Sequence, residues 1–354
     1  MGHYFRLTLN FYNFQLPKIK KGGCYENNLE FSWVTRDVYA QHCELRNKYS
    51  RYITIVKFTG TRRTVMKDII DQLIYERAPW LQAKTTSAAI SDCVLKMCLQ
   101  YSKTIEIANT LKLLNGEEIF DKLCGEIVQD TEITGCSNIP TTGPALIVAN
   151  HPTGIADAVF LYSAIAKTRP DVYFFANSDV LRVFPQLSEF IAPVEWRKEK
   201  RTKTRTKETL EFTKQAMKEQ RIGVIFPSGR LAKRTGLSLR ERSWMSSAVS
   251  LARKHNVPII PTHISARNSI LFYLLDIIHP TLRDITLFNE TLNKKDFHFE
   301  IRFGKPVYPY MLSPEPEIAT SDLKRRVLNL NTEHFLNSRR LRFQRSLRQE
   351  IART

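Results

Sequence analysis

The chain has 354 residues, 43% hydrophobic and 10% aromatic, a globular composition long enough for one large domain or two ordinary ones. Its formal net charge of +18 indicates an acidic partner, such as nucleic acid, an anionic membrane or an acidic carrier protein. The absence of any run of about 18 apolar residues argues against a spanning helix, and the first residues lack the apolar core of a signal peptide, so we expect a cytoplasmic protein.

The six cysteines all lie within the first 136 residues. None has the Cys-x-x-Cys spacing or the accompanying histidine pair of a zinc site, so we expect free and mostly buried thiols. They are Cys24, Cys43, Cys93, Cys98, Cys124 and Cys136.

The first third of the chain predicts a strand followed by helices. Apolar and polar residues alternate over residues 5–11, which is typical of a strand. From Arg62 to about Leu114 the apolar residues recur with helical spacing, and the pattern is interrupted at Pro79. We therefore expect a mainly helical N-terminal extension over residues 1–119.

From about Glu126 the pattern changes to strands and helices in alternation. Continuous apolar strands separated by helices of about a dozen residues predict a mostly parallel sheet that is covered on both faces. The predicted strands are 144–150, 172–177, 222–229 and 257–264, and the predicted helices are 156–167, 207–220 and 242–255. The fold class is therefore α/β, a mostly parallel sheet flanked by helices. We expect this domain to cover residues 120–310 and a helical basic tail to cover residues 311–354.

Polar residues follow three of the predicted strands. His151 follows the first strand, residues 228–230 follow a later one, and residues 263–268 end the last. In open parallel sheets, functional groups gather beyond the carboxyl ends of the strands. The three clusters therefore predict one site at that edge of the sheet.

His151 and Asp157, in the stretch "ALIVANHPTGIADAVF", are the candidate acid–base pair. On a continuous helix six residues turn through about 600°, which places the two side chains on different faces. They meet only if His151 precedes the helix and the chain folds back through residues 152–154, where proline and glycine permit it. Asp157 would then fix the imidazole tautomer and leave the other ring nitrogen free to take a proton. The alternative is an acid in the first turn of a helix beside a surface histidine.

A second candidate cluster lies in "VIFPSGRLAKRTG". Ser228 and Gly229 form a small bent loop with Arg230 at its edge, and arginine suits bidentate binding of phosphate or carboxylate. Ser228 is not in a Gly-x-Ser-x-Gly nucleophile elbow, because Phe226 stands where the first glycine should be. The sequence has neither a Walker-type phosphate loop nor a dinucleotide fingerprint, so nucleotide-dependent phosphoryl or hydride transfer has no support.

The segments "NHPTGIAD", "FPSGR" and "VPIIPTHI", in this order, resemble the lysophospholipid (glycerolipid, PlsC-like) acyltransferase superfamily. The nearest branch is the bacterial hemolysin-like, ornithine-lipid type, and the likeness covers roughly residues 120–308. Five residues separate His151 from Asp157, where the best-known form of the family has four, a spacing that we expect in this branch. Ser228 stands where the second motif usually has glutamate, which leaves the acceptor headgroup open.

The resemblance implies an acyltransferase mechanism. His151, oriented by Asp157, would act as general base on a hydroxyl or amine of the acceptor lipid. The acyl group would come from a thioester of acyl carrier protein or coenzyme A. Backbone N–H groups near Gly154 would stabilise the oxyanion of the tetrahedral intermediate.

The same resemblance implies that Arg230, with Ser228 and Gly229, binds the phosphate or another anionic group of the acceptor. Pro258 and Pro261 would shape the wall of the site. No metal and no cofactor is expected, because acyl-ACP or acyl-CoA serves as the donor substrate.

Two basic segments and one apolar window bear on an anionic membrane as a further partner. Residues 197–207 contain seven basic residues, which would attract an anionic leaflet or an acidic carrier protein, although a solvated face is the plain alternative. Residues 338–354 carry six arginines beside a narrow apolar stripe, as in an interfacial helix or a helix packed on the domain. Residues 269–278 form the most apolar window, for which buried core is the first interpretation and an acyl groove or membrane-facing surface the second.

The sequence thus predicts a phospholipid-biosynthesis acyltransferase, peripherally associated with the cytoplasmic face of the membrane, whose acceptor is a lysophospholipid such as 1-acyl-sn-glycerol-3-phosphate. The alternatives are O- or N-acylation of an ornithine-type lipid precursor, or a non-catalytic basic protein that binds lipid or nucleic acid. Nucleic acid is not expected as a partner, because the chain lacks the interleaved aromatic and basic residues of RNA-binding sheets.

Overall fold

The computed structural model describes residues 66–195, 202–235, 238–278 and 280–331. The helices are α1 Met66–Arg77, α2 Thr86–Cys98, α3 Tyr101–Leu111, α4 Gly116–Ile127, α5 Ile155–Ile165, α6 Asp179–Val183, α7 Lys203–Lys218, α8 Ser247–His255, α9 Ile270–Ile278, α10 Pro280–Leu292 and α11, residues 316–331. The strands are β1 Thr131–Thr134, β2 Ala145–Ala149, β3 Tyr173–Asn177, β4 Ile191–Val194, β5 Ile222–Ile225, β6 Lys233–Thr235, β7 Ser238–Arg240, β8 Ile259–Ser265 and β9 Phe299–Phe303.

Within the described residues, seven strands form one sheet in the order β1-β9-β8-β2-β5-β3-β4. Neighbouring strands are parallel except for β8 and β9, which pair antiparallel. This confirms the predicted α/β class with a mostly parallel sheet. A separate hairpin of β6 and β7 follows β5.

The burial of the central strand β2 explains why its sequence is apolar without interruption. All five of its residues are buried, because both faces of the sheet are covered. Ala145, Ile147 and Ala149 pack in the core cluster on the side of α4 and α5. Leu146 and Val148 pack on the other side, against residues of α7, α8 and α11. The domain therefore has three layers, with the sheet in the middle.

The register of the sheet brings the predicted polar clusters to one edge. β2 lies between β5 and β8, and all three strands run in the same direction. Val148 pairs with Ile225, and Ala149 with Thr262. The chain segments that leave these three strands therefore start side by side.

Helices α1 to α4 continue the core below the sheet. Met66, Leu111 and Phe120 belong to the same buried cluster as the residues of α5. The predicted helical pattern with a break at Pro79 matches α1 to α3, since Pro79 begins a short 3-10 turn between α1 and α2. The division at residues 119–120 and 310–311 stays a prediction. The predicted strand over residues 5–11 and the basic tail over residues 338–354 lie outside the described residues.

Two expectations about burial differ from what the described residues show. Cys93 and Cys136 are exposed free thiols, whereas burial raises the pKa of the free thiol of Cys124 to about 12. The apolar window at residues 269–278 forms α9, which buries Phe272 but leaves Ile270, for example, 80% exposed. Hydrophobicity alone does not reveal which face of a helix a neighbour covers.

No helix among the described residues is both long and apolar enough to cross a membrane.

The stacked pair Phe160 and Phe299 tests the contribution of this core. Their ring centroids are 3.6 Å apart with an interplanar angle of 3°, and both residues are fully buried. We expect Phe160→Ala to lower the free energy of unfolding by about 3–5 kcal/mol, because it removes apolar contacts and leaves a cavity. Urea unfolding curves measure this change. The control Leu113→Ala, at a residue that is 86% exposed, is expected to change it by less than about 0.5 kcal/mol.

Candidate active site

His151 and Asp157 are in contact in the structure. His151 Nδ1 lies 2.9 Å from Asp157 Oδ2. The chain folds back between them through Gly154, whose φ of +97° is open to glycine and strained for other residues. A side chain at position 154 would also meet Leu287, since a Cβ there would lie 2.9 Å from its Cδ2 atom. This is the arrangement that the fold-back interpretation requires.

Asp157 is fully buried and accepts hydrogen bonds from four donors. Its Oδ2 accepts from the backbone N–H groups of Thr153 and Gly154, each at 3.0 Å, and its Oδ1 accepts from Thr153 Oγ1 at 2.5 Å. The ring of His151 is the fourth partner. Because a carboxylate only accepts, Nδ1 of His151 carries the proton in this contact, and Nε2 is left as the basic nitrogen.

The oxyanion donors were predicted among the backbone N–H groups near Gly154, and the structure narrows this set. The N–H of Gly154 itself donates to Asp157 Oδ2. Sequence reasoning missed that Thr153 and Gly154 are the donors that hold Asp157 in place.

Further contacts hold the ring and the backbone of His151 in place. Its ring stacks on Phe226, with ring centroids 4.1 Å apart at an angle of 21°. Its backbone N–H donates to Glu241 Oε2 at 3.3 Å, and its carbonyl accepts from the N–H of Ala232 at 2.9 Å. The side chain remains 19% exposed, so a substrate group can reach it.

Asn150 fixes the point where β2 ends. Its side-chain Nδ2 donates to the carbonyl of Ile264 at 2.8 Å, and its Oδ1 accepts from the N–H of Ile264 at 2.7 Å. The side chain thus continues the pairing of β2 with β8 for one more residue. The backbone of His151 leaves the sheet at a defined position as a result.

A cavity of about 1380 Å³ opens beside His151. Gly154, Gly229 and Arg230 line it near the histidine. Most of its remaining lining is apolar and comes from α5, β3, α6 and α10, for example Val159, Phe174, Val180, Phe184, Leu287 and Phe288.

The loop after β5 has the predicted bend. Of its three predicted binding residues, Gly229 and Arg230 face the cavity and Ser228 does not. Gly229 has a φ of +58° and its N–H donates to the carbonyl of Phe226. Ser228 is buried, and its hydroxyl donates to the carbonyl of Arg230 at 2.7 Å, so it shapes the loop and does not face the cavity. Gly229 and Arg230 line the cavity, and Arg230 is exposed.

Further basic residues line the same cavity, and two that sequence reasoning missed lie in or beside the β6–β7 hairpin. These two are Lys233, on β6, and Arg242, whose Nε donates to the carbonyl of Leu231 at 2.8 Å. Lys233 stands directly opposite Arg240 in the β6–β7 hairpin. Like charges in such a pair destabilise a hairpin, which favours an anion as a ligand nearby. The signal was present in "RLAKRTGLSLRER", where five basic residues face one acid.

The remaining predicted residues lie away from the cavity. The carbonyl of Pro258 accepts from Leu146 N–H at the far end of β2, and Pro261 lies within β8, so neither shapes the wall of the site. His263, also in β8, is buried opposite Arg302, and burial lowers its pKa to about 4. Its Nδ1 has no hydrogen-bond partner among the described residues.

The basic segment predicted over residues 197–207 is described only from residue 202 onward. Arg205, in α7, pairs with the buried carboxylate of Glu195 at 2.8 Å and lines the cavity. The part of the cluster before residue 202 lies outside the described residues.

One group of side chains among the described residues has the composition of a metal site. Glu132, His298 and Glu300 lie together at the edge of the sheet formed by β1 and β9. A hydrogen bond with Asp130 raises the pKa of His298, and Glu300 pairs with Arg302. Two of the three side chains thus have charged partners within the protein.

Comparisons with known proteins agree with the site. A family model described as Acyltransferase matches residues 130–265. Two curated proteins, both named lyso-glycine lipid O-acyltransferase, are similar over 195 residues, or 53% of this chain. The one from Phocaeicola vulgatus is 24% identical over 68% of its own length, and the one from Bacteroides thetaiotaomicron is 23% identical over 70%.

A crystal structure of the 1-acyl-sn-glycerophosphate (LPA) acyltransferase PlsC from Thermotoga maritima is similar in fold with a TM-score of 0.42 and 15% identity. The match covers 70% of this chain and 97% of that one.

The segment that matches the family model contains β1 to β8, the His151–Asp157 pair and the loop with Arg230. The alternative of a non-catalytic binding protein is therefore wrong. Residues 130–265 match the Acyltransferase family, so the chain is an acyltransferase, and it is similar to enzymes of lipid metabolism.

Proposed function

We propose that this enzyme transfers a fatty acyl group from a thioester donor to the hydroxyl of a lysolipid, with His151 as general base. The observation that carries this proposal is the 2.9 Å contact of His151 Nδ1 with the buried Asp157, at the wall of a large apolar cavity. A fixed tautomer with a basic Nε2 facing away from Asp157 suits proton transfer from a hydroxyl.

The proposed reaction proceeds in two proton transfers. His151 Nε2 takes the proton of the acceptor hydroxyl while the hydroxyl oxygen forms a bond to the thioester carbonyl carbon. Asp157 stabilises the imidazolium that results. The carbon–sulfur bond then breaks, and the imidazolium returns the proton to the departing thiolate, so no acyl-enzyme is required.

We place the oxyanion at the first turn of α5. The N–H of Gly154 is engaged by Asp157, but the next one, that of Ile155, belongs to the first turn of a helix, where N–H groups have no acceptor within the helix. Ile155 also lines the cavity. The positive end of the α5 dipole favours negative charge at this position.

The acceptor is an anionic lysolipid. Arg230, Lys233 and Arg242 line the cavity on the side of the β6–β7 hairpin, and a carboxylate or phosphate group fits such a cluster. The names of the curated relatives favour O-acylation of an amino-acid lysolipid of the lyso-glycine lipid type. 1-Acyl-sn-glycerol-3-phosphate is the second candidate and the ornithine-type precursor the third.

The size and lining of the cavity support a lipid substrate. Its volume of about 1380 Å³ exceeds the ~300–1,000 Å³ of ordinary small-molecule sites. Its apolar lining suits an acyl chain, whose burial is favourable at roughly 0.8 kcal/mol per methylene group. Both acyl carrier protein and coenzyme A thioesters remain candidates for the donor.

The outward face of α9 is the proposed contact with an anionic membrane. Ile270, Leu274 and Ile277 recur at helical spacing on this face, and each is at least half exposed. The cavity reaches the same end of the protein, since Asp276 of α9 and its partner Arg283 line it. An apolar helix face on a chain with a net charge of +18 fits a negatively charged bilayer from which the acceptor is drawn.

Replacement of His151 by alanine tests the function. We expect purified wild-type protein to acylate one member of a lysolipid panel (lyso-glycine lipid, 1-acyl-sn-glycerol-3-phosphate, lyso-ornithine lipid) with acyl-ACP or acyl-CoA. His151→Ala is expected to lower kcat/KM by about 100-fold to 10,000-fold, because the proton acceptor is lost. No transfer by the wild type to any acceptor would contradict the proposal. His255→Ala, on the C-terminal turn of α8, is the matched control.

Replacement of Asp157 by asparagine separates charge from geometry. The amide oxygen can keep the three N–H donors that Oδ2 binds, and the amide nitrogen can donate to Thr153 Oγ1, so the fold is expected to persist. We expect kcat to fall by about 100-fold or more with an unchanged Tm, because the neutral amide stabilises the imidazolium less. Steady-state kinetics and thermal unfolding measure the two quantities. Wild-type kcat in this variant would remove Asp157 from the mechanism.

The double variant Leu274→Ser/Ile277→Ser tests the membrane contact. We expect its binding to vesicles with anionic phospholipid to weaken by about tenfold or more, because apolar side chains are lost from the inserted face. Vesicle co-sedimentation measures this binding. Leu113→Ser, at an exposed residue after α3, is the control, and equal binding of all three proteins would exclude the α9 face.

A further inference from the structure

A buried ion pair is connected to the candidate acid–base pair by hydrogen bonds and by the peptide bond between Asn268 and Ser269. Lys294, which follows α10, has no exposed side-chain surface, and its Nζ lies 2.9 Å from Oε2 of the equally buried Glu290. Lys294 also donates to Asn293 Oδ1 at 3.0 Å. Burial of two charges is costly, and an apolar pair of the same volume often serves stability as well. Stability alone therefore does not account for this pair.

Glu290 holds the turn that precedes α9. Its carboxylate accepts from the backbone N–H of Ser269 at 2.9 Å and from the hydroxyl of Ser269 at 2.5 Å. The same hydroxyl accepts from the N–H of Phe272 at 3.2 Å and so caps the first turn of α9. The backbone after β8 is thereby fixed to α10.

Asn268, the next residue back along the chain, reaches the loop of the candidate active site. It is 5% exposed, and its Nδ2 donates to the carbonyl of Thr153 at 3.3 Å. Thr153 in turn donates its N–H and its hydroxyl to Asp157. Thr153 is therefore held by Asn268 on its carbonyl side and holds Asp157 on the other.

We propose that these connected residues, called here the buried relay, position Asp157 and through it the imidazole of His151. The buried relay consists of Asn268, Ser269, Glu290 and Lys294. Its members are positioning residues, because they act through Thr153 and do not touch the substrate. This role rests on the proposed function, in which the orientation of His151 determines the rate.

The charge distribution supports the coupling. Burial lowers the pKa of Lys294, and the carboxylates of Glu290 and Asp157 oppose that effect. The ammonium group therefore lies within the field of Asp157 as well as that of its direct partner. One cation shared between two buried carboxylates keeps the region behind His151 from carrying two unbalanced negative charges.

The double variant Glu290→Gln/Lys294→Met tests the buried relay without leaving a buried charge unpaired. We expect kcat to fall by about tenfold to a hundredfold, since small misplacements of a reacting group have effects of this size. KM is expected to stay within about twofold, because the cavity is unchanged. The downfield NMR resonance of the hydrogen-bonded His151 Nδ1 proton is expected to shift or broaden. Lys295→Met, at the exposed neighbouring lysine, is the matched control and should equal the wild type.

Asn268→Ala is the second test, at the other end of the buried relay. It removes the donor to Thr153 and leaves both buried charges paired, so the same loss of kcat and the same change in the imidazole resonance are expected. A folded variant with wild-type kcat and an unchanged resonance would overturn the proposal. If the wild type transfers no acyl group, the proposed function fails, and the imidazole resonance alone then decides whether the buried relay positions His151.

Discussion

The buried carboxylate of Asp157 is the constraint on which the rest of the site depends. A charged group without solvent must be met by hydrogen-bond donors, and in the part of the chain that the structure describes all of them come from residues 151–154. The loop therefore cannot move without breaking the contacts of the carboxylate. The start of α5, the path of the loop and the direction of the imidazole are fixed by one side chain.

The parallel sheet supplies the second half of the arrangement. Because β2, β5 and β8 are neighbours that run the same way, the loops after them meet without any long connection. Asn150 prolongs the contact of β2 with β8, and Phe226 places an aromatic face under the ring of His151. Strands β5 and β8 thus each contribute one contact that supports His151, which follows the central strand β2.

Much of this was available from the sequence, because apolar continuity and chain order are local properties. The strands at 144–150 and 257–264, the fold-back through Gly154 and the convergence of three strand ends all follow from periodicity and from the rule that parallel strands end together. The buried relay could not be foreseen. Its residues are separated from Thr153 by more than a hundred positions, and each one alone looks like a surface polar residue.

The errors share a physical cause, since they concern side chains whose surroundings come from elsewhere in the chain. The apolar sequence of α9 suggested core, but only its Phe272 face meets another element. Ser228 looked like a substrate ligand, but its hydroxyl closes its own loop. Pro258 and Pro261 stood near a motif in sequence, yet Pro261 lies within β8 and Pro258 directly precedes that strand at its far end.

The β6–β7 hairpin connects the basic side of the cavity to the backbone of His151. Its first strand begins at Lys233, one residue after Ala232 bonds the carbonyl of His151, and its second strand is followed by Glu241, which bonds the N–H of His151. In the proposed function, the hairpin that would bind the headgroup therefore also clamps the backbone of the proton-accepting His151. Binding energy released far from the scissile bond can be expressed in the rate of the chemical step and not only in affinity. The enzyme would then discriminate between lipids through kcat as well as through affinity.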